Sequence, residues 1–497
     1  MDLSEFEQYR ENNRLEAKRA QGRDGSGELP HSMWETLSAF ANEAGGVILL
    51  GVAEVGPEKR LEAVGLGNAN KVLDDFWSAA NSKDKLSARF LTDRNAHVET
   101  IDGKDIIVIE VPRVDRHMRP VYLDKDLLGK TFRRTHTGDH RCSEEEVFTM
   151  IRESSTQSED AEIARTAGIG ELDQDTITRY RRRFDSENEN HVWADMDDAE
   201  FLDAIGATAV DVDGEVKPTR AGLLMFGEER FIRREFPHYF LDYRQETGGN
   251  DRWEDRVTSM SGDWTGNLYD FYFRVYNKMK AALKVPFKLV DGSRVDDTPA
   301  HEALRESLAN CLTNTDWHER RGVVCVWRSD AFAIANPGGF RMPIEEARKP
   351  GSSDPRNETL LRMFSMIDVG ERAGSGMDKI FNGWAWAGYG EPAYAMERDP
   401  DRTTLTLPLK EESDNYRQIE SSDSNEGKTD MRAGRTAQNK QAIAEYLTMN
   451  GPSKSSDIAA AVGLKITRTN QILREMIAAG TVQAEGQARN REYRLSE

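Results

Sequence analysis

A helix-like segment after the middle of the chain places two polar side chains where they could bind a metal–phosphate group. In HEALRESLANCL, Glu306 and Asn310 are four residues apart and therefore share one helical face. A carboxamide oxygen is a suitable Mg²⁺ ligand, and a neighbouring carboxylate can polarise water. Downstream, Gly374 and Gly376 stand at the predicted start of a helix, where backbone N–H groups can hold phosphate. These residues predict a magnesium–phosphate site.

A second group of candidate residues is basic. Residues 111–141 carry eight Lys and Arg against four Asp, a local charge of +4. Tyr122 and Phe132 are interleaved with them, a pattern suited to gripping a phosphate backbone, although an ordinary solvated charged face would also produce it. The arginines that we assign to nucleic acid here are Arg116, Arg119, Arg133 and Arg134.

A third candidate is an acid that follows a buried strand. In AFANEAGGVILLGVAE a helical pattern stops at a glycine pair, and Val47–Leu50 is wholly apolar, as a strand covered on both faces would be. Glu54 comes three residues after the strand ends at Gly51. The simplest interpretation is a surface acid at the end of a sheet, and the alternative is a site residue.

Composition limits the classes of protein that remain. The 497 residues should form roughly three domains. Mean hydropathy is −0.69, and no apolar run reaches the ~20 residues of a membrane span. The polar start is unlike a signal peptide, and three cysteines without metal-ligand spacing favour a reducing cytoplasm and no structural zinc. The net charge of −20 opposes nucleic-acid binding overall, but a whole-chain sum hides local patches.

The pattern along the chain predicts five segments. The alternation HVETIDGKDIIVIEVP predicts a hairpin that turns at Asp102–Gly103. One stretch near the C-terminal end has only Tyr416 and Ile419 as sizeable apolar groups and therefore predicts a flexible linker. The predicted segments are an α/β domain (1–155), a mostly helical connector (156–299), a second α/β unit (300–410), the linker (411–436) and a small module (437–497).

The last module resembles a bacterial winged helix-turn-helix. Its pattern is an amphipathic helix, a short second helix that ends at Gly463, a polar-faced third helix and an alternating two-stranded wing. The alternative is a winged helix that contacts protein. The side chains suited to a major groove are Lys465, Thr467, Arg468, Asn470 and Gln471, and those suited to the DNA backbone are Arg489, Arg491 and Arg494.

The order HEALRESLANCL, ANPGGF, GERAGSG and TTLTLPL resembles the GHKL ATPase fold, in the divergent form found at the C-terminus of helicase-related bacterial regulators. The resemblance implies ATP and Mg²⁺, with Asn310 as metal ligand, Glu306 as water activator and phosphate at Gly374–Gly376. It places the adenine side at Asn336, Gly338 and Gly339. Asn336 replaces the usual aspartate, so it would accept from adenine without charge assistance. The alternative is a degenerate fold kept for packing or dimerisation.

The strings AFANEAGG, KDIIVIEVP, RPVYL and KTFRRTHT resemble the Schlafen AlbA-type domain, over about residues 8–150. The resemblance implies that Glu11, Glu16 and Glu54 bind Mg²⁺ or Mn²⁺ for RNA cleavage, with Lys18 stabilising the developing charge. Two departures stand out: Glu54 replaces the usual aspartate, and Ala17 precedes Lys18 where phenylalanine is usual. The alternative is a domain that only binds nucleic acid.

Together these features predict an α/β multidomain protein: a Schlafen AlbA-type domain, a helical connector, a GHKL-like α/β sandwich and a winged helix. The leading interpretation is a cytoplasmic nucleic-acid-binding and ATP-binding regulator of transcription, with weak ATPase activity. Its partners would be DNA or RNA, nucleotide and further copies of itself, but no membrane. The first alternative is a metal-dependent Schlafen-like RNA endonuclease, as in phage defence. The second is an inert scaffold whose winged helix binds protein.

Overall fold

The chain forms two compact units, Met1–Glu412 and Ser413–Glu497. None of the helices in the described ranges combines the length and the apolarity that a bilayer crossing demands. The predicted linker 411–436 lies outside the described residues. The computed structural model describes residues 3–6, 8–9, 13–22, 25–135, 138–246, 253–283, 289–290, 293–294, 297–349, 351–370, 376–398, 400–409, 440, 443–444, 446–448, 450–461, 469, 472–473, 476–477, 481–485 and 492–495.

The N-terminal domain is built on a four-stranded sheet of order β1-β2-β6-β5, in which β1 and β2 are parallel and the other neighbours antiparallel. Two hairpins, β3–β4 and β7–β8, flank it. Its elements are β1 (Leu15–Lys18), α1 (His31–Asn42), β2 (Gly46–Leu50), β3 (Val52–Val55), β4 (Arg60–Ala63), α2 (Ala69–Ala80), β5 (Ala96–Ile101), β6 (Lys104–Val111), β7 (Phe132–Thr135), β8 (Gly138–Arg141) and α3 (Glu144–Glu153).

Strand β2 is apolar throughout because both of its faces are covered. Ile48 and Leu50 lie in one hydrophobic cluster with the apolar faces of α1 and α2. Val47 and Leu49 lie in a second cluster on the opposite face, since successive side chains alternate along a strand. Three residues connect α1 to β2, and one of them, Gly45, has a φ of 73°, in the left-handed region that favours glycine. Position 46 also requires glycine, because a Cβ there would lie 2.7 Å from Arg14 O. The predicted helix–glycine–strand unit is therefore confirmed.

The hairpin predicted at Asp102–Gly103 is also confirmed. Its strands are β5 and β6, and the two turn residues have φ values of 52° and 73°. Two successive left-handed residues are the requirement of the two-residue turn that best matches strand twist.

A second sheet of six strands, in the order β12-β11-β15-β16-β18-β17, forms the rest of the first unit. Strands β11 and β15 are parallel, and the remaining neighbours are antiparallel. The elements are α4 (Gln174–Glu187), α5 (Asp198–Ala204), β9 (Thr208–Val210), β10 (Val216–Pro218), α6 (Arg220–Phe226), α7 (Glu229–Glu235), β11 (Leu241–Glu246), β12 (Asp255–Thr258), α8 (Leu268–Ala282), β13 (Leu289–Val290), β14 (Ser293–Arg294), α9 (Pro299–Thr313), β15 (Val323–Arg328), β16 (Ala331–Pro337), α10 (Ile344–Ala347), α11 (Glu358–Ser365), α12 (Gly376–Trp386), β17 (Ala393–Glu397) and β18 (Arg402–Pro408).

The structure differs from the predicted boundary at residue 300. One continuous hydrophobic core runs from Ala164 to Leu407, and strand β11 of the predicted connector pairs with β15 of the predicted α/β unit. The connector is therefore part of the same folded body and contributes strands as well as helices. Most aromatic residues of α8, among them Phe271 and Tyr272, are buried in this core.

The second unit has a small core of its own. A three-stranded antiparallel sheet of order β19-β21-β20 packs with helical residues. The buried side chains of this core include Ile443, Leu447, Ile472, Leu473 and Met476. The elements described here are β19 (Ser453–Lys454), α13 (Ser455–Ala461), β20 (Val482–Glu485) and β21 (Glu492–Leu495).

Candidate functional site

Helix α9 places Glu306 and Asn310 against the start of α12. Glu306 is buried and Asn310 half-buried. Gly376 is the first described residue of α12, and a Cβ on it would lie 2.2 Å from Glu306 Oε1 and 3.0 Å from Asn310 Nδ2. A side chain at position 376 would therefore collide with Glu306 and Asn310. Because Gly376 has no side chain, the α12 backbone can approach both polar groups closely.

A second glycine extends this close approach along the two helices. A Cβ on Gly383 would lie 2.2 Å from Pro299 O, at the beginning of α9. Gly376 and Gly383 are seven residues apart, which is about two helical turns, so they share one face of α12. The helices can thus pack backbone to backbone, and this packing fixes where Glu306 stands.

Glu306 and Asn310 line a cavity between α9, α12 and the six-stranded sheet. The cavity also brings in the predicted Asn336, Gly339 and Gly376, whereas Gly374 lies outside the described residues. Mixed polar and apolar walls suit a ligand with a flat ring and a charged tail. Its further lining includes Ile334, Phe340, Arg341, Met342, Ser352, Ser353, Asp354, Pro355, Met377, Tyr394, Thr403 and Leu405.

Asn336 is held in a fixed orientation at the end of β16. Its buried carboxamide donates from Nδ2 to Pro337 O at 3.0 Å and to Asn314 O at 3.5 Å. Because the nitrogen side is engaged by backbone carbonyls, the Oδ1 side is the acceptor that remains for a ligand. Thr403 of β18 lies opposite Asn336 in the strand register and also lines the cavity.

The loop after β16 is clamped by a buried arginine. Arg356 donates to Asn314 O at 2.5 Å and to Gly339 O at 3.2 Å. A Cβ on Gly338 would lie 2.5 Å from Arg356 Nη1, so the absence of a side chain at this predicted site residue leaves room for the arginine. Gly338 lines a neighbouring cavity. Arg356 also donates from Nη2 to Glu153 of the N-terminal domain at 2.5 Å.

Glu153 is the counter-charge for this cluster. It lies at the end of α3, and its side chain is one-fifth exposed. Burial raises the pKa of Glu153, but Arg356 and Arg341 outweigh burial and lower it to about 2. The carboxylate is therefore ionised and ties the N-terminal domain to the clamp.

The arginines predicted to grip phosphate are engaged within the protein. Arg116 donates from Nε to both carboxylate oxygens of Asp354 at 3.1 Å. Arg119 donates to Asn42 O at 3.3 Å, and burial, together with nearby Arg113, lowers its pKa to about 10. An exposed basic patch was the expectation, whereas these two side chains face the interior.

The other two arginines of the set are also paired. Arg133 pairs with Glu43, with Glu146 at 2.9 Å and with Asp401 at 3.5 Å. Arg134 pairs with Glu16 and Asp139, each at 2.9 Å, and stacks over the Phe40 ring. Carboxylates of the protein thus compensate the positive charge of Arg133 and Arg134, which phosphate groups of a nucleic acid would otherwise attract. These contacts do not test the predicted phosphate binding by the four arginines.

The predicted acid triad is only partly described. Glu16 lies on β1 and pairs with Lys18 Nζ at 2.9 Å as well as with Arg134. Burial raises the pKa of Glu16, but Lys18 and Arg134 lower it below its ordinary value. Glu54 is exposed on β3, with Lys59 Nζ at 4.0 Å, and Glu11 lies outside the described residues.

A metal at this triad has limited support from the described part of the chain. There, no group of three His, Cys, Asp or Glu side chains lies close enough to hold an ion. Lys18 and Arg134 already compensate the charge of the Glu16 carboxylate. This pairing does not fit a group of uncompensated carboxylates that could bind a metal ion. The metal site, and the RNA endonuclease that depends on it, stay predictions because Glu11 is not described.

The residues of the C-terminal module that were predicted to contact DNA lie mostly outside the described residues. Arg494 is the member of the predicted set that the structure describes. It is exposed and donates to Gln483 Oε1 at 3.4 Å. The undescribed predicted contacts are Lys465, Thr467, Arg468, Asn470, Gln471, Arg489 and Arg491.

Sequence analysis missed three residues of the cavity region: Arg341, Asp354 and Arg356. A local signal exists in the string SSDPRNE, which is rich in polar and turn-forming residues. Their roles nevertheless depend on Arg116 and Glu153, which are about 200 positions away in sequence.

Three family models match the chain. The model "Schlafen, AlbA_2" matches residues 11–143. The model "Putative ATP-dependent DNA helicase recG C-terminal" matches residues 326–407. A domain of unknown function, DUF8451, matches residues 148–242. Comparison with curated proteins found no match.

Two solved structures are similar to the chain. The DIP2311 protein from Corynebacterium diphtheriae is 15% identical, with 98% of this chain and 95% of that chain covered and a TM-score of 0.40. The N-terminal domain of a RecG-related protein from Nitrosomonas europaea is 31% identical, with 28% of this chain and 92% of that chain covered and a TM-score of 0.21.

Proposed function

Because the chain contains a Schlafen AlbA_2 domain at residues 11–143 and a RecG C-terminal-type ATPase-like domain at 326–407, we propose that it binds both nucleotide and nucleic acid. The nucleotide is ATP with Mg²⁺, bound in the cavity of Glu306 and Asn310. The observation that carries this proposal is the approach of the α12 backbone to both side chains at Gly376.

Different residues of the cavity would bind different parts of Mg²⁺–ATP. Asn310 would supply an oxygen ligand to Mg²⁺, and the backbone at the start of α12 would face the phosphates. Asn336 Oδ1 would accept a hydrogen bond from the exocyclic amine of adenine, because its Nδ2 already donates to backbone carbonyls. Glu306, buried beside them, would orient a water for slow hydrolysis.

The finer role that we propose is regulation of transcription. The C-terminal unit supports it with a compact core of its own and a sheet that packs with helical residues, an arrangement suited to a winged helix. The N-terminal domain would contribute a second nucleic-acid contact.

Isothermal titration of the full-length protein with ATP tests the nucleotide site. Asn310→Ala should abolish Mg²⁺-dependent binding, since it removes the metal ligand. Glu306→Gln should retain binding and lose any hydrolysis. Glu302→Gln is the matched control, because Glu302 lies on the exposed face of the same helix. If the wild-type protein binds neither ATP nor ADP, the proposal is refuted.

A further inference from the structure

The N-terminal domain reaches the rim of the nucleotide cavity through Arg113. This arginine follows β6 and donates from Nη2 to Arg341 O at 2.8 Å and to Phe340 O at 3.4 Å. Phe340 and Arg341 both line the cavity. Part of the cavity wall is therefore held from outside, by a residue of another domain.

Arg116 holds the same rim at a second point. Its Nε donates to both oxygens of Asp354 at 3.1 Å, and Asp354 lines the cavity. Its Nη1 donates to Glu153 O and Ser155 O, each at 2.8 Å. The guanidinium is thus fixed on the side of the N-terminal domain by Nη1, and its Nε–H is shared between the two carboxylate oxygens of Asp354.

The rim between these two points contains little regular structure. Between Phe340 and Asp354 the only described helix is the single turn α10. Arg341, whose side chain is 9% exposed, donates from Nη1 to Pro355 O at 3.0 Å, while its Nε has no hydrogen-bond partner among the described residues. The backbone hydrogen bonds described within the segment join residues 343–352, so Phe340, Arg341 and Asp354 at its ends depend more on side-chain contacts, including those from Arg113 and Arg116.

We propose that Arg113 and Arg116 are positioning residues of the nucleotide site, which fix the 340–355 rim in its binding conformation. The inference rests on the proposed nucleotide function. A rim released from the N-terminal domain would have to be ordered when ATP binds, and this cost would weaken affinity. Linkage is reciprocal, so bound nucleotide stabilises the docking of the N-terminal domain to the same degree.

Arg116→Gln in the full-length protein tests the inference, with ATP affinity measured by isothermal titration. We expect the Kd to rise about tenfold, within the ~5–150-fold range of site-to-site coupling. Arg398→Gln is the matched control: Arg398 also joins the two domains, with Nη2 2.6 Å from Glu43 Oε2, but it does not line the nucleotide cavity. Its Kd should stay within about twofold of the wild-type value.

Two further variants keep the test decisive. Arg116→Lys retains the charge, but its single ammonium cannot reproduce the contacts to Asp354 and to the Glu153 and Ser155 carbonyls together, so it should give an intermediate Kd even if Arg116→Gln folds poorly. In the Arg116→Gln background, Asp354→Asn should change the Kd less than it does alone, because the pair is already broken.

Each outcome has a definite meaning. Wild-type affinity in both Arg116 variants would refute the positioning role and leave the nucleotide site standing. An equal loss in Arg116→Gln and Arg398→Gln would also refute it, since general loosening of the interface would then suffice. Absence of ATP binding by the wild-type protein would refute the proposed function itself, and the positioning role with it.

Discussion

Replacing Glu153 by glutamine should destabilise the first unit strongly, because it removes the counter-charge of a buried arginine. Glu153 Oε1 accepts from Arg356 Nε at 3.0 Å and Nη2 at 2.5 Å. Glutamine keeps an acceptor oxygen but brings an N–H₂ group and no charge. Arg356, whose side chain is 11% exposed, would keep its positive charge without the carboxylate that it now contacts.

The size of the effect follows from the pKa of Glu153. A change from 4.5 in the unfolded chain to about 2 in the fold corresponds to about 3 kcal/mol of stability, at ~1.4 kcal/mol for each pH unit. The loss of one partner from a buried ion pair typically costs ~3–5 kcal/mol, which agrees in size. We therefore expect the free energy of unfolding of Glu153→Gln to be lower by about 3 kcal/mol at pH 7.

The pH dependence gives the sharper test. The folded pKa is depressed, so the stabilisation is fully present above the unfolded value of 4.5 and is lost as the pH falls towards 2. At pH 3.5 the difference between wild type and variant should have narrowed to about 2 kcal/mol.

Urea unfolding, monitored by circular dichroism and by tryptophan fluorescence, would measure the stability difference between wild type and variant at pH 7 and at pH 3.5. The two signals must give coincident transitions. Glu144→Gln is the control, since Glu144 is exposed at the start of the same helix and its loss should cost less than ~1 kcal/mol. Equal stability of wild type and Glu153→Gln at pH 7 would refute the reasoning. A gap that stays constant down to pH 3.5 would show that packing, rather than charge, is responsible.

Three other predictions follow from the described contacts. Gly376→Ala should abolish ATP binding in isothermal titration and lower stability by ~1–3 kcal/mol, because its methyl group would lie 2.2 Å from Glu306 Oε1; normal affinity would contradict the site geometry. Glu16→Gln should lower the melting temperature at pH 7, because Glu16 pairs with Arg134, and the difference should shrink below pH 4.5, since the Glu16 pKa is depressed. Unchanged Mn²⁺ affinity in the same variant would remove Glu16 from the predicted metal site. A fragment of residues 437–497 should bind duplex DNA with an affinity that falls steeply with salt, whereas salt-independent binding, or none, would favour protein contacts.

The sequence predicted those elements that are determined by neighbours along the chain. Strand β2 shows as an apolar run because both of its faces are buried, and the β5–β6 turn shows as Asp102–Gly103 because two left-handed residues are required there. Helix α9 and the cavity side chains Glu306 and Asn310 were recognisable from the spacing on one helical face. Periodicity and turn chemistry act over a few residues, and a single sequence contains them.

What escaped prediction depends on partners far along the chain. Arg116 looks like a phosphate ligand in sequence, but its carboxylate partner Asp354 is 238 positions away. Strand β11 reads LDYRQE, in which apolar and polar residues alternate only over Leu241–Arg244, and its parallel pairing with β15 gives it a place in the sheet. Charge sign can be read from a sequence, but whether a charge faces solvent or a counter-charge depends on the fold.

The ion pairs between the N-terminal domain and the cavity rim also constrain how this architecture can be recombined. Arg116 with Asp354, and Glu153 with Arg356, each have one member on either side of a junction at residue 155. A chimera that joined a foreign N-terminal domain at this junction would inherit half of each pair and leave buried charges without partners. Inheritance of the two domains as one block avoids this cost, so compensating substitutions at the paired positions should accompany any natural exchange. Engineers who wish to replace the N-terminal domain would need to transplant its side of the junction, including Arg113, together with the matching rim.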